Sequence, residues 1–287
     1  MSPTPHPILV ALDDSPRAPA VLRAGDFYSK VTGAPLVLLR VVSPPAPLPA
    51  EALLVEPAEI ERLQCEEARV AIEKLGKGLV PSVAWDAVVR VGMPWEVICS
   101  EAARLSASMT IIGSHGYDAL DRILGTTAQK VVNHATRDVL VVRSEAPWTK
   151  VVCALDGSPR SAGVFKAARV VADLFDAELE LVRGVTIPSL PARAIPRGVR
   201  LDELLVHDAK QALSAFAREA DEVTRVRTVV ELENPRDLVA RCAAGRGTLA
   251  VIGAHGYGPS ERLLGTTAGW FVNHLRCSVL VVRGNGA

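Results

Sequence analysis

The segment from Ile111 to Arg143, IIGSHGYDALDRILGTTAQKVVNHATRDVLVVR, recurs as VIGAHGYGPSERLLGTTAGWFVNHLRCSVLVVR from Val251 to Arg283, with 19 of 33 aligned positions identical. Upstream, ILVALDDSPRA (Ile8 to Ala18) recurs as VVCALDGSPRS (Val151 to Ser161). The first pair is offset by 140 and the second by 143, so the intervening loops differ by three residues. Solenoid repeats run to roughly 20–50 residues. A far longer period in a chain of 287 residues means two tandem copies of one domain. The expected domains are 1–146 and 147–287, joined near Ser144 to Pro147.

Each copy alternates strand and helix patterns. In the first, the apolar run Ile8 to Leu12 meets Asp-Asp-Ser-Pro, a turn and helix-start signal. A helical pattern runs to about Lys30, and Pro35 to Val42 reads as a buried strand. Ser43 to Pro57 carries five prolines and reads as a loop. Helices are expected over 58–79, 94–105 and 126–136, and strands over 83–91, 108–113 and 138–143. The second copy places strands near 150–155, 178–185, 224–232, 248–253 and 278–283, with Ile187 to Gly198 as its Pro-containing loop. Short charge-free strands alternating with helices indicate a parallel sheet covered on both faces. Right-handed crossovers then make each copy a doubly wound α/β domain.

Lys plus Arg and Asp plus Glu each number 32, so the formal net charge is zero. Nucleic acid held by bulk electrostatics needs a basic surplus, and none is present. The longest stretch without a charged residue, Gly247 to Ser260, is too short to span a bilayer. Asp13 and Asp14 interrupt the first apolar run and no basic region precedes it, so no secretory signal is expected. The five cysteines (Cys65, Cys99, Cys153, Cys242, Cys277) are scattered, without CxxC or metal-ligand spacing. They read as buried inert thiols in a reducing cytoplasm.

Ligands of doubly wound sheets sit beyond the strand carboxyl ends, where strand order reverses. The unusual residues fall there. Asp13 and Asp156 end the first strand of each copy; Gly113 and Gly116, and Gly253 and Gly256, follow the fourth. Gly125-Thr126-Thr127 and Gly265-Thr266-Thr267 open the last helices. Glycine admits close approach of a ligand to the backbone, and a helix N-terminus presents N–H groups to an anion. A neighbouring carboxylate accepts hydrogen bonds from a ribose or an adenine amino group. Turns and ordinary N-caps account for the same residues without any ligand, and both readings stand at this level.

The pattern G-x-x-G, a short loop, then G-[ST] before an amphipathic helix and a closing VLVVR strand resembles the universal stress protein family. ILVALDDS, VVCALDGS and RVGMPWEVI (Arg90 to Ile98) resemble it too, over nearly the whole chain, twice. The resemblance implies a five-stranded parallel sheet of order 3-2-1-4-5 in each copy, often paired through the last strand. It also implies ATP held between the first and fourth strands. Asp13 would then contact the adenine or ribose, with Val41 beside the base. Gly113 and Gly116 would lie along the ribose and phosphates, and Gly125, Thr126 and Thr127 would cap the phosphates. The matching residues of the second copy are Asp156, Gly253, Gly256, Gly265, Thr266 and Thr267.

Two departures bear on this. The family commonly places nine residues between the second and third glycines, where both copies here have eight, Tyr117 to Leu124 and Tyr257 to Leu264. Gly92 before Met93-Pro94 is matched by Glu233 before Asn234-Pro235. A carboxylate lining the pocket would repel phosphates, which favours the first copy.

His115 and His255, and His134 and His274, recur in register. The first pair reads as loop residues at a pocket rim, the second as packing at a helix end. No HExxH, Walker A lysine or G-x-S-x-G elbow appears. No catalytic residue and no protein metal site are assigned. The reading is a cytoplasmic, stress-responsive regulatory module binding ATP or ADP, with or without magnesium on the phosphates, and hydrolysing it slowly or not at all. An unidentified protein partner and pairing into a homodimer are compatible with it. A partner-binding scaffold without nucleotide and a slow adenine-nucleotide hydrolase are the alternatives.

Overall fold

The computed structural model describes residues 5–44, 56–114, 124–189, 200–220, 225–255 and 264–284. The chain divides into two compact units, Met1–Ala146 and Pro147–Ala287.

In the first unit the elements run β1 (Ile8–Leu12), α1 (Ala18–Thr32), β2 (Leu36–Val42), α2 (Pro57–Leu79), β3 (Trp85–Val91), α3 (Pro94–Arg104), β4 (Met109–Gly113), α4 (Thr126–His134) and β5 (Asp138–Val142). The sheet order is β3-β2-β1-β4-β5, all parallel, as the resemblance implies. Ile8 stands opposite both Leu36 and Met109, so β1 is central and strand order reverses beside it. The central strands are apolar on both faces because helices cover both: Leu9, Val10, Leu38 and Ile111 are fully buried. The edge strand β3 alternates instead, with exposed Asp86 and Arg90 among less exposed neighbours. Helix α2 buries little beyond Ala68, Ile72 and Gly76, the single apolar stripe of a helix lying on the sheet.

The second unit repeats the plan as β6 (Lys150–Ala154), α5 (Ser161–Phe175), β7 (Glu178–Gly184), α6 (Leu201–Glu219), β8 (Val226–Glu231), α7 (Pro235–Cys242), β9 (Thr248–Gly253), α8 (Thr266–His274) and β10 (Ser278–Val282). Its sheet order is β8-β7-β6-β9-β10, again parallel throughout. Trp148, fully buried, meets Phe175 edge-on at 5.0 Å between centroids.

Among the described residues the first unit buries two carboxylates, Asp26 and Glu101, and the second buries Glu180. All are paired, Lys30 Nζ donating to Asp26 Oδ2 at 2.6 Å. Glu101 on α3 accepts hydrogen bonds from Arg90 Nε and Arg104 Nε, both at 2.9 Å. Glu180 on β7 lies 2.8 Å from Lys150 Nζ and 3.7 Å from Arg227 Nε. A buried charge needs such partners, since transfer of an unpaired one from water costs several kcal/mol.

Candidate functional site

The described residues among those predicted lie around the carboxyl ends of β1, β2 and β4 in the first unit, and of β6 and β9 in the second. In the first unit Asp13 directly follows β1, and its Oδ1 accepts from the Ser15 N–H at 3.1 Å and the Ser15 hydroxyl at 2.6 Å. That is a local turn opening α1. Asp14 pairs with Arg40, which also donates to the Leu12 carbonyl at 3.4 Å. Arg17 Nη1 donates to the Ser114 hydroxyl at 3.2 Å, joining the start of α1 to the residue after β4. Val41 lies near the end of β2, opposite Arg90, and Gly113 ends β4 opposite Val142.

The second unit repeats the turn with different wiring. Asp156 Oδ1 accepts from the Ser158 N–H at 2.8 Å and the Ser161 hydroxyl at 3.1 Å. Gly157 stands where Asp14 stands in the first copy, at φ +80°, and a Cβ there would lie 2.7 Å from the Arg183 guanidinium. The left-handed backbone favours glycine there, while the guanidinium, at the end of a flexible side chain, can shift. Gly184 takes the place of Val41. A Cβ on it would lie 2.7 Å from Pro235 Cα, so the start of α7 fills the space that Val41 fills with its own side chain.

A cavity of about 610 Å³ opens at this end of the second unit. Asp156, Gly253, Gly265, Thr266 and Thr267 all line it. Ser158, Arg160, Ser161, Gly184, Pro235 and Phe271 line it as well, and none of these was selected from sequence. The signal for Arg160 lay in the repeated Ser-Pro-Arg, which reads as part of a helix start. Gly116 and Gly256 lie outside the described residues, as does His115; His255 lines the cavity. A second hollow of about 540 Å³, lined by His6, Pro35, Leu36 and Trp85, lies at the amino ends of β2 and β3 and holds none of the predicted residues.

The last helix of each unit begins alike. Gly125 and Gly265 are the N-caps, with φ,ψ of −60°,147° and −61°,151°, and no side chain caps either helix. The Gly125 N–H donates to the Ser114 carbonyl and the Gly265 N–H to the Ala254 carbonyl, both at 2.8 Å. A Cβ on Gly265 would stand 3.3 Å from that Ala254 oxygen. The eight-residue spacing, most of which lies outside the described residues, is thus closed by the same hydrogen bond in both copies. The amides of Thr266, Thr267 and Ala268 begin α8 without intrahelical acceptors and with the positive end of the helix dipole behind them.

Glu233, the carboxylate expected from sequence to repel phosphates, is ion-paired. Its carboxylate lies 2.7 Å from Arg241 Nη2, which also holds Glu231 at 2.8 Å, and it is not among the residues lining the cavity. Among the described residues no group of three or more His, Cys, Asp or Glu is placed to hold a metal ion. No helix among them is long and apolar enough to cross a membrane.

The sequence profile of the universal stress protein family matches residues 5–143 and 147–283. A universal stress protein of Mycobacterium tuberculosis is 26% identical over 298 residues, covering 97% of each chain. Among solved structures, a universal stress protein from Archaeoglobus fulgidus aligns with TM-score 0.62 at 18% identity, over 97% of this chain and 99% of its own. A crystal structure from Pseudomonas aeruginosa aligns with TM-score 0.65 at 21% identity, over 96% and 92%.

Proposed function

This chain belongs to the universal stress protein family, and we propose that it is an adenine-nucleotide-binding regulatory module of the cytoplasm that takes ATP or ADP and hydrolyses it slowly or not at all. The observation that carries this reading is the second unit's cavity. One volume is lined both by a carboxylate, Asp156, two residues past β6, and by the uncapped start of α8. The carboxylate accepts hydrogen bonds from a ribose or an adenine amino group, and the helix start takes phosphate oxygens. Gly265 as N-cap leaves the first-turn amides open to an anion, which a Ser or Asp cap would occupy with its own oxygen.

Binding is favoured over hydrolysis by how the acidic groups are held. Asp156 Oδ1 already accepts from Ser158 and Ser161, and Asp13 Oδ1 from Ser15. Such a carboxylate orients a ligand rather than activating water. Asp14, the other acidic residue of the first turn, is paired with Arg40. Magnesium accompanying the nucleotide would be held by the phosphates; among the described residues no group of three or more His, Cys, Asp or Glu is placed to receive it.

The test is direct. Heat-denature the purified protein, separate the released small molecules and quantify adenine nucleotide per chain, then titrate ligand-free protein with ATP and ADP. Retained or titrated nucleotide supports the module. No release together with no heat of binding removes it and leaves a partner-binding scaffold as the account.

A further inference from the structure

The two copies hold the same carboxylate with different serines. In the first, the Ser15 hydroxyl donates to Asp13 Oδ1 at 2.6 Å and accepts from the Arg17 N–H at 3.3 Å, so its one proton is committed. In the second, the Ser161 hydroxyl takes over. It donates to Asp156 Oδ1 at 3.1 Å and accepts from the Gly157 N–H at 3.1 Å. The repeat places Ala18 where Ser161 stands, so the first copy has no hydroxyl at that place. Ser158, the counterpart of Ser15, reaches Asp156 through its backbone alone, N–H to Oδ1 at 2.8 Å. Among the described residues its hydroxyl has no hydrogen-bond partner, and Ser158 lines the 610 Å³ cavity together with Asp156.

We propose that Ser158 and Asp156 together read the ribose of the nucleotide, and that Ser161 is the positioning residue that releases the Ser158 hydroxyl to do so. The proposal rests on the nucleotide reading above and deepens it, by naming the part of the ligand that this wall recognises and the serine that sets it up.

The chemistry is that of a vicinal diol. Two hydroxyls on adjacent carbons present two O–H donors side by side and need two neighbouring acceptors. With Oδ1 engaged by the Ser158 N–H and the Ser161 hydroxyl, Asp156 offers Oδ2, and the Ser158 oxygen is the second acceptor. The rest of the cavity assigns the other part of the ligand. Val164, Val182, Ile252 and Phe271 are buried and give it an apolar wall, whereas Asp156 is exposed. A flat base belongs against the apolar wall, and sugar hydroxyls against the few polar groups that fix orientation. In the first copy the corresponding hydroxyl is already bonded to Asp13 and to the Arg17 amide, so a diol there meets one acceptor fewer.

The experiment is calorimetric titration of the full chain with ADP and with its dideoxyribose analogue, which lacks both sugar hydroxyls. Asp156→Ala should weaken ADP by about tenfold or more, the loss of a hydrogen bond to a charged group, and so marks the second unit's site in the titration. At that site Ser158→Ala should weaken ADP by about threefold to tenfold, the loss of one neutral hydrogen bond, and leave the dideoxy analogue unchanged. Ser161→Ala should do the same. It gives the second copy the alanine that the first carries at that place, and the Ser158 hydroxyl then turns to Asp156 as Ser15 does to Asp13. The two losses should therefore not add: Ser158→Ala costs nothing further once Ser161→Ala is present. Thermal melts check that each variant keeps its fold. Wild-type ADP affinity in Ser158→Ala, equal losses for ADP and the dideoxy analogue, or additive losses in the double variant overturn the proposal and leave nucleotide binding standing. Unchanged ADP binding in Asp156→Ala, or no ADP binding by wild type, overturns the nucleotide reading of this cavity as well.

Discussion

The guanidinium carbon of Arg236 lies 5.8 Å from the centroid of the Trp270 ring. These residues begin α7 and sit within α8. In the first copy the same two places carry the partners exchanged. Trp95 begins α3, and the Lys130 ammonium of α4 stands 5.4 Å from its ring centroid. The histidine ending each helix adds a second ring, His134 at 4.9 Å from Trp95 and His274 at 4.4 Å from Trp270. A cation over an aromatic face thus clamps the last helix of each copy to the helix before it.

Because either partner alone is useless, the exchange should behave as a unit. Trp95→Ala and Lys130→Ala should show a coupling of about 0.5–1 kcal/mol in a double-mutant cycle. Trp95→Arg with Lys130→Trp, which writes the second copy's arrangement into the first, should recover most of the stability lost by either change alone. Denaturant unfolding followed by far-ultraviolet dichroism checks this, and additive losses would refute it.

The Glu101 cluster sets an acid limit on the first unit. The Arg104 guanidinium, hydrogen-bonded to the Glu101 carboxylate, holds it below the ordinary carboxyl range with help from Arg90, although burial opposes this. A carboxyl depressed in the folded chain contributes stability that is complete above its unfolded value of about 4.3 and is lost as pH falls through the folded value. Glu101→Gln should cost about 1–3 kcal/mol at neutral pH and progressively less below pH ~4. Equal losses at both pH values would remove the ion pairs as the cause.

Thiol labelling should sort the cysteines by environment. Burial raises the Cys153 thiol far above its ordinary value, and burial together with the Glu180 carboxylate pushes Cys242 up to about 11. The thiolate is the reactive form. Cys153 should label only on unfolding, and Cys242 slowly at neutral pH and faster as the pH approaches 11. Cys65 and Cys99, partly exposed, should label before Cys153. Rapid labelling of Cys153 in the folded protein would contradict its burial.

Gly184→Val imports the first copy's residue into a place that Pro235 has filled. Overpacking against backbone typically costs about 1–3 kcal/mol, so the second unit should melt at lower temperature. A neutral substitution would mean that α7 moves away from β7 at little cost.

Much of the fold was legible because it is written locally and twice. Hydrophobic runs such as Ile111 to Gly113 and Val279 to Val282, too short for helices and free of charge, declare buried parallel strands. The recurrence of Gly-Thr-Thr before an amphipathic run declares where the last helices begin. The pairing of Glu233 is not legible locally: its sequence neighbours are Leu232 and Asn234, while the group that neutralises it is Arg241, a turn and more along α7. The aromatic clamp is hidden from the repeat because an exchanged pair erases identity at both positions.

The sequence by itself determined the duplication, the alternation of strands and helices, and the residue types at the strand carboxyl ends. Those follow from periodicity and from backbone chemistry at turns and helix starts, which act over a few residues. Only the tertiary structure decided what each side chain faces. Arg17 and Arg160 occupy the same place in the same repeated tripeptide; Arg17 donates to the Ser114 hydroxyl, where Arg160 lines a cavity that Ala254 also lines. That outcome depends on residue 114 or 254, about a hundred positions away in the chain, brought within hydrogen-bond reach by the pairing of the first and fourth strands.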